Sequence, residues 1–414
     1  VVQVLGRSNL LPAIVFLPRR RDCDRAAAEF RGLTWERQEE RTHRFSLLAG
    51  ENRFLWRHPL LEPLLEAGVA SHHAGHLTGW KVAVEGLLEQ GLVRAVFATT
   101  TLAAGLDVPA RTVVLSTMRA RDERGTRDLT ALEFHQMSGR AGRRGRDRVG
   151  FVIVVPRGFR DLQTALTLRE LEAEPLQSAF VLAYYRVLNL LQRFGLEGSR
   201  GFLESSFYLY QRGGRAARRR LFRELELRVA LLQAMGYLNQ DHTLTDLGRW
   251  ATLVRHEHSL VLAELVRRGL DEPLDPPTLA GWTAAIVGSR APYRLATRIR
   301  LRALQDLVRE IEAREEALGL PPLGLAAQFL PDTREAFELG RPGDAWRRAA
   351  AVKLWAEGEE WEAVVGRCDT DEGDLQRLVL QTAEVLRELE GLPFADLAAK
   401  AATARVALMR EPVF

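Results

Sequence analysis

Over its first 157 residues the chain alternates short apolar runs with amphipathic stretches, and this alternation constrains the fold more than any other feature. The runs Ala13–Leu17, Gly68–Ala70, Ala95–Ala98, Thr112–Leu115 and Phe151–Val155 are too short for core helices. They are rich in Val, Ile and Phe, so each reads as a buried strand. Between them, Asp22–Phe30, Gly79–Glu89 and Leu132–Arg144 carry helical spacing. Strands alternating with helices give a parallel sheet covered on both faces. Ligands of such sheets bind at loops beyond the carboxyl ends of the strands.

After Pro156 the strand signal stops. Residues 158–260 read as helices and short turns, and Gly236–Gly248 reads as a small β-wing followed by a helix. Residues 261–414 read as helical, broken near Asp271–Pro277 and Gly319–Pro322. The expected fold class is therefore an α/β parallel-sheet domain followed by mainly α domains, divided as 1–157, 158–260 and 261–414. A hydrophobic fraction of 46% and a charged fraction of 27% fit a soluble globular chain.

The net charge is only +4, and lysine occurs only at Lys81, Lys353 and Lys400. The remaining basic residues are arginine, which suits bidentate phosphate contacts, although base composition produces the same bias. Cys23 and Cys368 are too far apart for a metal motif and imply no disulfide framework, so a reducing cytoplasm is expected. No apolar run reaches the roughly 18 residues of a membrane span. The chain begins at Val1 and leads quickly into a strand, as a piece of a longer protein or a cleaved product would.

The motif richest in chemistry is Gln136-Met-Ser-Gly-Arg-Ala-Gly-Arg-Arg-Gly145. At helical spacing, Gln136, Arg140 and Arg143 share one face. Gly139 and Gly142 allow close backbone approach. Two guanidinium groups side by side can neutralise a transferring γ-phosphate; an isolated RxxR would otherwise be a solvated basic helix. A second segment, Phe97-Ala-Thr-Thr-Thr-Leu-Ala-Ala-Gly-Leu-Asp-Val-Pro109, ends a strand in hydroxyls. Thr99 and Thr101 suit phosphate oxygens, and Asp107, two residues after Gly105, suits a ribose hydroxyl. The bland alternative is a Thr-capped turn. A third, Ser71-His-His-Ala-Gly-His76, invites a zinc reading, but adjacent histidines at a strand end point apart and no Cys lies nearby. A loop contacting a nucleic-acid backbone fits His72, His73 and Gly75 better.

In this order the segments resemble superfamily 2 helicases. Ala13–Cys23 is similar to motif IV, Phe97–Pro109 to motif V and Gln136–Gly145 to motif VI. The "QMSGRAGRRG" form and the His-His-Ala-Gly loop are similar to the Ski-like DExH-box branch. Leu188–Leu191 and Ser205–Phe207 resemble the winged-helix region after the motor, and Trp355–Gly358 and Glu372–Arg377 resemble the helical DSHCT domain.

The resemblance implies a second RecA-like lobe, a winged helix and a helical domain from an ATP-dependent RNA helicase. It implies Arg140 and Arg143 as arginine fingers, with Gln136 coupling nucleotide to nucleic acid. Gly105, Asp107 and Gly139 would face the nucleotide, and Thr99, Thr101 and the His72–Gly75 loop would track a strand's backbone. Between motifs V and VI, directly after Thr112–Leu115, Met118–Asp128 is too polar for core. Gly125 can supply a tight turn, and relatives place a strand-separating hairpin there. Arg119, Arg121, Arg124 and Arg127 are its expected contacts.

The implied partners are single-stranded or partly duplex RNA, with DNA possible, and the first RecA-like lobe of the same protein. ATP and Mg2+ are the implied ligands, held mainly by that lobe. No metal ligand set is expected within this chain. A DNA helicase of a related branch and a non-catalytic nucleic-acid adaptor are the competing readings, the adaptor having no need of γ-phosphate sensors.

No lysine here follows a glycine, so the Gly-Lys-Ser/Thr loop that cradles phosphates is absent from the chain. Asp371-Glu-Gly-Asp374 follows no apolar strand and reads as part of the DSHCT segment. Between Gln211 and Leu221, where eukaryotic relatives insert a large arch, stands only a short arginine-rich link. The 414-residue chain by itself is therefore expected to hydrolyse ATP negligibly. Phosphate release at or near the buffer rate, with and without RNA, is the expected outcome; strong stimulation by RNA would refute it.

Overall fold

The computed structural model describes residues 1–102, 109–122, 125–269, 274–288, 299–322, 324–331 and 343–414. It divides into two compact units, Val1–Leu176 and Gln177–Phe414. The first unit thus continues past residue 157, the division expected from the sequence.

The first unit contains β1 Ala13–Phe16, β2 Val69–His72, β3 Ala95–Ala98, β4 Thr112–Leu115, β5 Arg119–Asp122, β6 Gly125–Asp128 and β7 Phe151–Val154. Its helices are α1 Val2–Arg7, α2 Arg20–Ala28, α3 Gln38–Ala49, α4 Arg53–Trp56, α5 Thr78–Glu89, α6 Ala131–Ser138 and α7 Phe159–Glu170. Five strands form one parallel sheet in the order β2-β3-β1-β4-β7, the RecA-like arrangement anticipated above. Val15 of the central strand pairs with Phe97 on one side and Val114 on the other.

Every residue of β1 to β4 is buried. Successive side chains alternate faces, so both faces of the sheet are covered. The strand positions follow the apolar runs closely. β2 differs: it extends through Ser71 and His72, polar residues buried because each has a partner. β5 and β6 pair antiparallel as a separate hairpin, Arg121 opposite Thr126, and Gly125 takes φ 124° beside the turn.

One buried cation fixes the entry to β2. Arg41 of α3 is fully buried and donates to the carbonyls of Leu65 at 2.9 Å and Glu66 at 2.8 Å. Its other nitrogen donates to Glu36 O at 3.0 Å. Carbonyl dipoles take the place of a counter-ion here, satisfying the guanidinium donors.

The second unit contains α8 Tyr184–Glu204, α9 Phe207–Arg212, α10 Gly214–Ala234, α11 Asp246–Ala251, α12 Ser259–Arg268, α13 Pro276–Val287 and α14 Arg302–Ala317. It continues with α15 Asp344–Ala356, α16 Trp361–Cys368, α17 Glu372–Glu390 and α18 Ala395–Leu408. α13 packs against α15, α17 and α18. The expected β-wing is reduced to one antiparallel bridge, Leu238 with Leu244, ahead of α11. α12 runs through the position where a boundary at 260/261 was expected. No helix among the described residues is long and apolar enough to cross a membrane.

Glu315 of α14 is fully buried and joins three helices. It accepts from the Tyr184 hydroxyl of α8 at 2.6 Å and lies 3.7 Å from the Arg228 guanidinium of α10. Arg228 also lies 4.8 Å from the Tyr184 ring centroid. Removing one member of a buried ionic set strands the others, at a cost of about 3–5 kcal/mol. Glu315→Ala should lower the urea midpoint of the second unit by an amount equivalent to that loss, whereas a change under about 1 kcal/mol would show the contact to be incidental.

Candidate functional site

At the carboxyl ends of β1 and β4 the chain leaves a cavity of about 350 Å³. Pro18, Arg19 and Asp22 line one side, Thr117, Arg119 and Thr126 another, and Arg157 closes it. Three guanidiniums against one carboxylate make a site for an anion. Arg119, an expected contact, is half-exposed and lies 3.6 Å from Asp128. Arg19 and Arg157 were missed in the sequence; the legible signal was that each closely follows an apolar run and a proline.

The hairpin is tied to the helix behind it. Arg127 donates to both Glu133 oxygens, at 2.7 and 2.6 Å. Glu133 also closes a capping box with Thr130 at the start of α6. The Arg127 hydrogen bonds hold the Glu133 carboxyl below the usual carboxylate range, against the opposing effect of burial. The Arg121 backbone lies in β5. Arg124 lies outside the described residues, as do Gly105 and Asp107. Thr99 is half-buried at the end of β3, and its carbonyl accepts from Leu102 at 3.2 Å across a short turn that includes Thr101.

The helix carrying Gln136 is shorter than expected. α6 ends at Ser138, six residues before Arg144, and Gly139 caps it. Gln136 is half-buried on the helix, but Arg140 and Arg143 lie on the turn beyond it, so the three do not share a helical face. The reason is local. Gly142 takes φ 96°, and a Cβ on Gly150 would lie 2.4 Å from the Ala141 carbonyl, so the chain crosses itself backbone to backbone. The crossing pairs this turn with the residue after Pro109: Ala110 N–H donates to Arg140 O at 3.0 Å, and Gly142 N–H donates to Ala110 O at 2.7 Å. The two motifs are thereby joined directly. Arg143 grips Asp147 in a bidentate pair at 2.8 and 3.0 Å. The Arg143 bonds hold the buried Asp147 carboxyl below its ordinary range.

The histidine loop is placed differently from the expectation of an open loop. His72, His73, Gly75 and His76 are all buried. His72 reaches Glu85 at 2.5 Å. His73 points the other way, to Asp24 of α2 at 3.0 Å. Asp24, His73 and His76 bring their ligand-type atoms within 4.8 Å of one another, the one such group among the described residues. Their protons are nevertheless assigned by their neighbours. Gly75 N–H donates to His73 Nδ1 at 3.1 Å, which puts the proton of neutral His73 on Nε2, facing Asp24.

Leu60 N–H donates to His58 Nδ1 at 3.1 Å, so His58 Nε2 donates to His76 Nδ1 at 3.3 Å. The proton of His76 then sits on Nε2, 2.7 Å from the Ser71 hydroxyl, which donates to Asp24 at 2.6 Å. Both nitrogens that a metal would need carry protons, and the set reads as a directed hydrogen-bond chain ending on one carboxylate.

Comparison with known proteins finds relatives over about half of the chain. The DSHCT (NUC185) domain model matches residues 241–414. An Arabidopsis thaliana DExH-box ATP-dependent RNA helicase, DExH10, is 36% identical over 219 residues, covering 51% of this chain and 22% of that protein. The antiviral helicase SKI2 of Saccharomyces cerevisiae is 38% identical over 202 residues, 46% of this chain and 16% of its own length. The probable helicase HelY of Mycobacterium tuberculosis is 37% identical over 225 residues, 51% and 24% respectively. About half of the chain is thus similar to Ski-like DExH-box helicases, and its C-terminal part matches their DSHCT domain. The chain spans a quarter or less of the length of these relatives.

Within this chain the Asp24 network makes a pH-dependent contribution. Burial opposes ionisation of Asp24, but hydrogen bonds from His73 and His76 outweigh it and hold the carboxyl well below its usual range. Burial pushes His76 down to about 4 and His58 well below its ordinary value. Above pH 6.5 neutral His76 is unaffected. Below it the unfolded chain takes up a proton that the folded chain refuses, so stability falls between roughly pH 6.5 and 4. The Asp24 contribution is lost only at lower pH, as the folded carboxylate is finally protonated. We expect a His76 NMR titration midpoint near 4 and a Tm that declines over that interval, less steeply in His76→Gln. A midpoint near the ordinary imidazole value would contradict the assignment.

Proposed function

We propose that this chain is the second motor lobe and accessory helical region of an ATP-dependent RNA helicase. The observation that carries the reading is the junction of Arg140 and Gly142 with Ala110. It couples the arginine-bearing turn to the end of the Thr-rich segment, so a movement at a nucleotide is transmitted to a strand held at Thr99 and Thr101. The charge there supports an anionic ligand: Asp147 is the carboxylate paired with Arg143, and Arg111 adds to the field around it.

In this reading ATP, with Mg2+, is held mainly by the first RecA-like lobe and supplies the transferring γ-phosphate. Arg140 neutralises charge developing on that phosphate, and Arg143 joins it on leaving Asp147. Gln136 and Gly139 form the adjoining surface, with Gly105 and Asp107 facing the ribose side. The chain of bonds ending on Asp24 holds His72, His73 and Gly75 rigid behind the strand path, a supporting role in place of direct contact through their side chains. The hairpin carrying Arg119, Arg121, Arg124 and Arg127 stands at the sheet's carboxyl edge, where it would part a duplex. Single-stranded or partly duplex RNA is the proposed substrate. The retained arginine turn favours the enzyme over a passive adaptor.

Arg140→Ala in the full-length protein should lower RNA-stimulated ATP turnover on the order of 10³-fold. RNA affinity should stay within about threefold, because phosphate sensing and backbone binding are separate contacts. Steady-state turnover beside an RNA titration checks both; near-normal turnover removes Arg140 from the mechanism. Oligodeoxynucleotide stimulation equal to that by RNA would move the substrate to the DNA reading.

A further inference from the structure

Helix α8 breaks in its middle. Gly195 takes φ 64° and ψ −175°, a conformation that a helix interior does not use and that favours glycine. Along a straight helix Phe194 and Phe202 would be separated by roughly 12 Å of rise. The break instead folds the second half back, and the two rings stack with centroids 5.5 Å apart at 19°. The Ser199 hydroxyl donates to the Gly195 carbonyl at 2.5 Å and fixes the bend. Both rings remain about half in solvent, Phe194 42% and Phe202 54% exposed.

These rings wall a cavity of about 620 Å³. Phe180 and Tyr185 form the other side, and the Arg186 guanidinium lies 5.5 Å from each of their ring centroids. Arg186 Nε donates to the Tyr185 hydroxyl at 2.8 Å, so this wall is rigid before any ligand arrives. Arg193 and Arg255 stand exposed at the rim. None of the described lining residues is acidic.

We propose that this cavity in the second unit binds an unpaired base of single-stranded RNA. The inference rests on the nucleic-acid reading above and adds a site that reading does not include. An aromatic slot with a cationic rim and no acidic residue among its described lining residues matches a nucleotide on both counts. The base is flat and stacks on Phe, Tyr or guanidinium faces, and the linking phosphates carry the charge that Arg193 and Arg255 attract. An apolar peptide would satisfy the rings and leave the exposed Arg193 without counter-charge, whereas Arg255 already has the Glu388 carboxylate beside its backbone N–H at 2.8 Å. Because every base has a π-face, the site takes any sequence and requires only that the base be unpaired.

The experiment uses the 414-residue chain and a fluorescent oligouridylate, with a blunt RNA duplex as comparison. Phe202→Ala and Arg193→Ala should each weaken oligouridylate binding about tenfold, consistent with the loss of one stacked base or one phosphate contact. Binding of the duplex should change little. A 4-thiouridine oligonucleotide should crosslink to the peptide spanning Phe194 and Phe202. Both side chains are exposed, so melting curves should match the unaltered chain and exclude misfolding as the cause. Unchanged affinity in both variants, or crosslinks confined to the first unit, overturns the inference. Equal weakening of single strand and duplex overturns it too, since stacking requires an unpaired base. Arg119→Ala, run in parallel, tests the first-unit surface separately: loss there with none at Phe202 rejects this cavity and leaves the helicase reading standing.

Discussion

The arrangement of the first unit depends on carboxylates that accept and never donate. Asp24 gathers Ser71, His73 and His76 directly and His58 through His76, at the end of a chain whose tautomers the Gly75 and Leu60 N–H groups set. Asp147 does the same for Arg143, and Glu133 for Arg127. In each case a donor-rich, long or rotatable group is held by an acid placed nearby by the fold. Groups held in this way lose little further entropy on meeting a ligand, the physical meaning of preorganisation. The cost is that each acid must remain ionised, and their lowered pKa values express that requirement.

Arginine abundance looked in the sequence like a surface suited to phosphate. Part of it serves the interior instead. Arg41 and Arg348 are fully buried and Arg228 nearly so. Arg348 donates to the Ala285 carbonyl at 2.9 Å near the end of α13, where a helix presents unpaired carbonyls and negative potential. The guanidinium plane and its five donors allow such burial, which a lysine ammonium would tolerate less well. A net charge of only +4 thus coexists with locally cationic cavities, because 54 acidic residues offset most of the 58 lysines and arginines over the whole chain.

What the sequence disclosed, and what it hid, follows from the range of the forces involved. Strands β1, β3 and β4 were readable because uninterrupted Val, Ile and Phe have few alternatives to a buried sheet. β2 was cut short at Ala70 because Ser71 and His72 look like loop residues until their partners are known. The partner of His73 is 49 residues away along the chain. The extent of α6 was overestimated because the spacing of Gln136, Arg140 and Arg143 satisfies a helix as well as it satisfies a helix followed by a turn. Only Gly150, approaching from the next strand, decides between them. The hairpin turn was readable from Gly125 alone. The bend at Gly195 was not, since glycine inside a helical pattern has several uses and the stacking of Phe194 on Phe202 is a consequence of tertiary geometry.

The order of strands has a consequence for how the chain is made. β1 is synthesised first and lies at the centre, and both its neighbours come much later. The hydroxyl of Ser116, just beyond β4, donates to the carbonyl of Phe16 across 100 residues of sequence. Until β3 has been made Ala13–Phe16 is an apolar segment with both backbone edges open, one edge stays open until β4 arrives, and no local hairpin can shelter it. Closing so long a loop delays the reward of pairing. β5 and β6, by contrast, are separated by a turn and can pair within microseconds. Assembly of this lobe is therefore governed by its long-range pairing, and the nascent chain is most prone to aggregation before Thr112–Leu115 arrives.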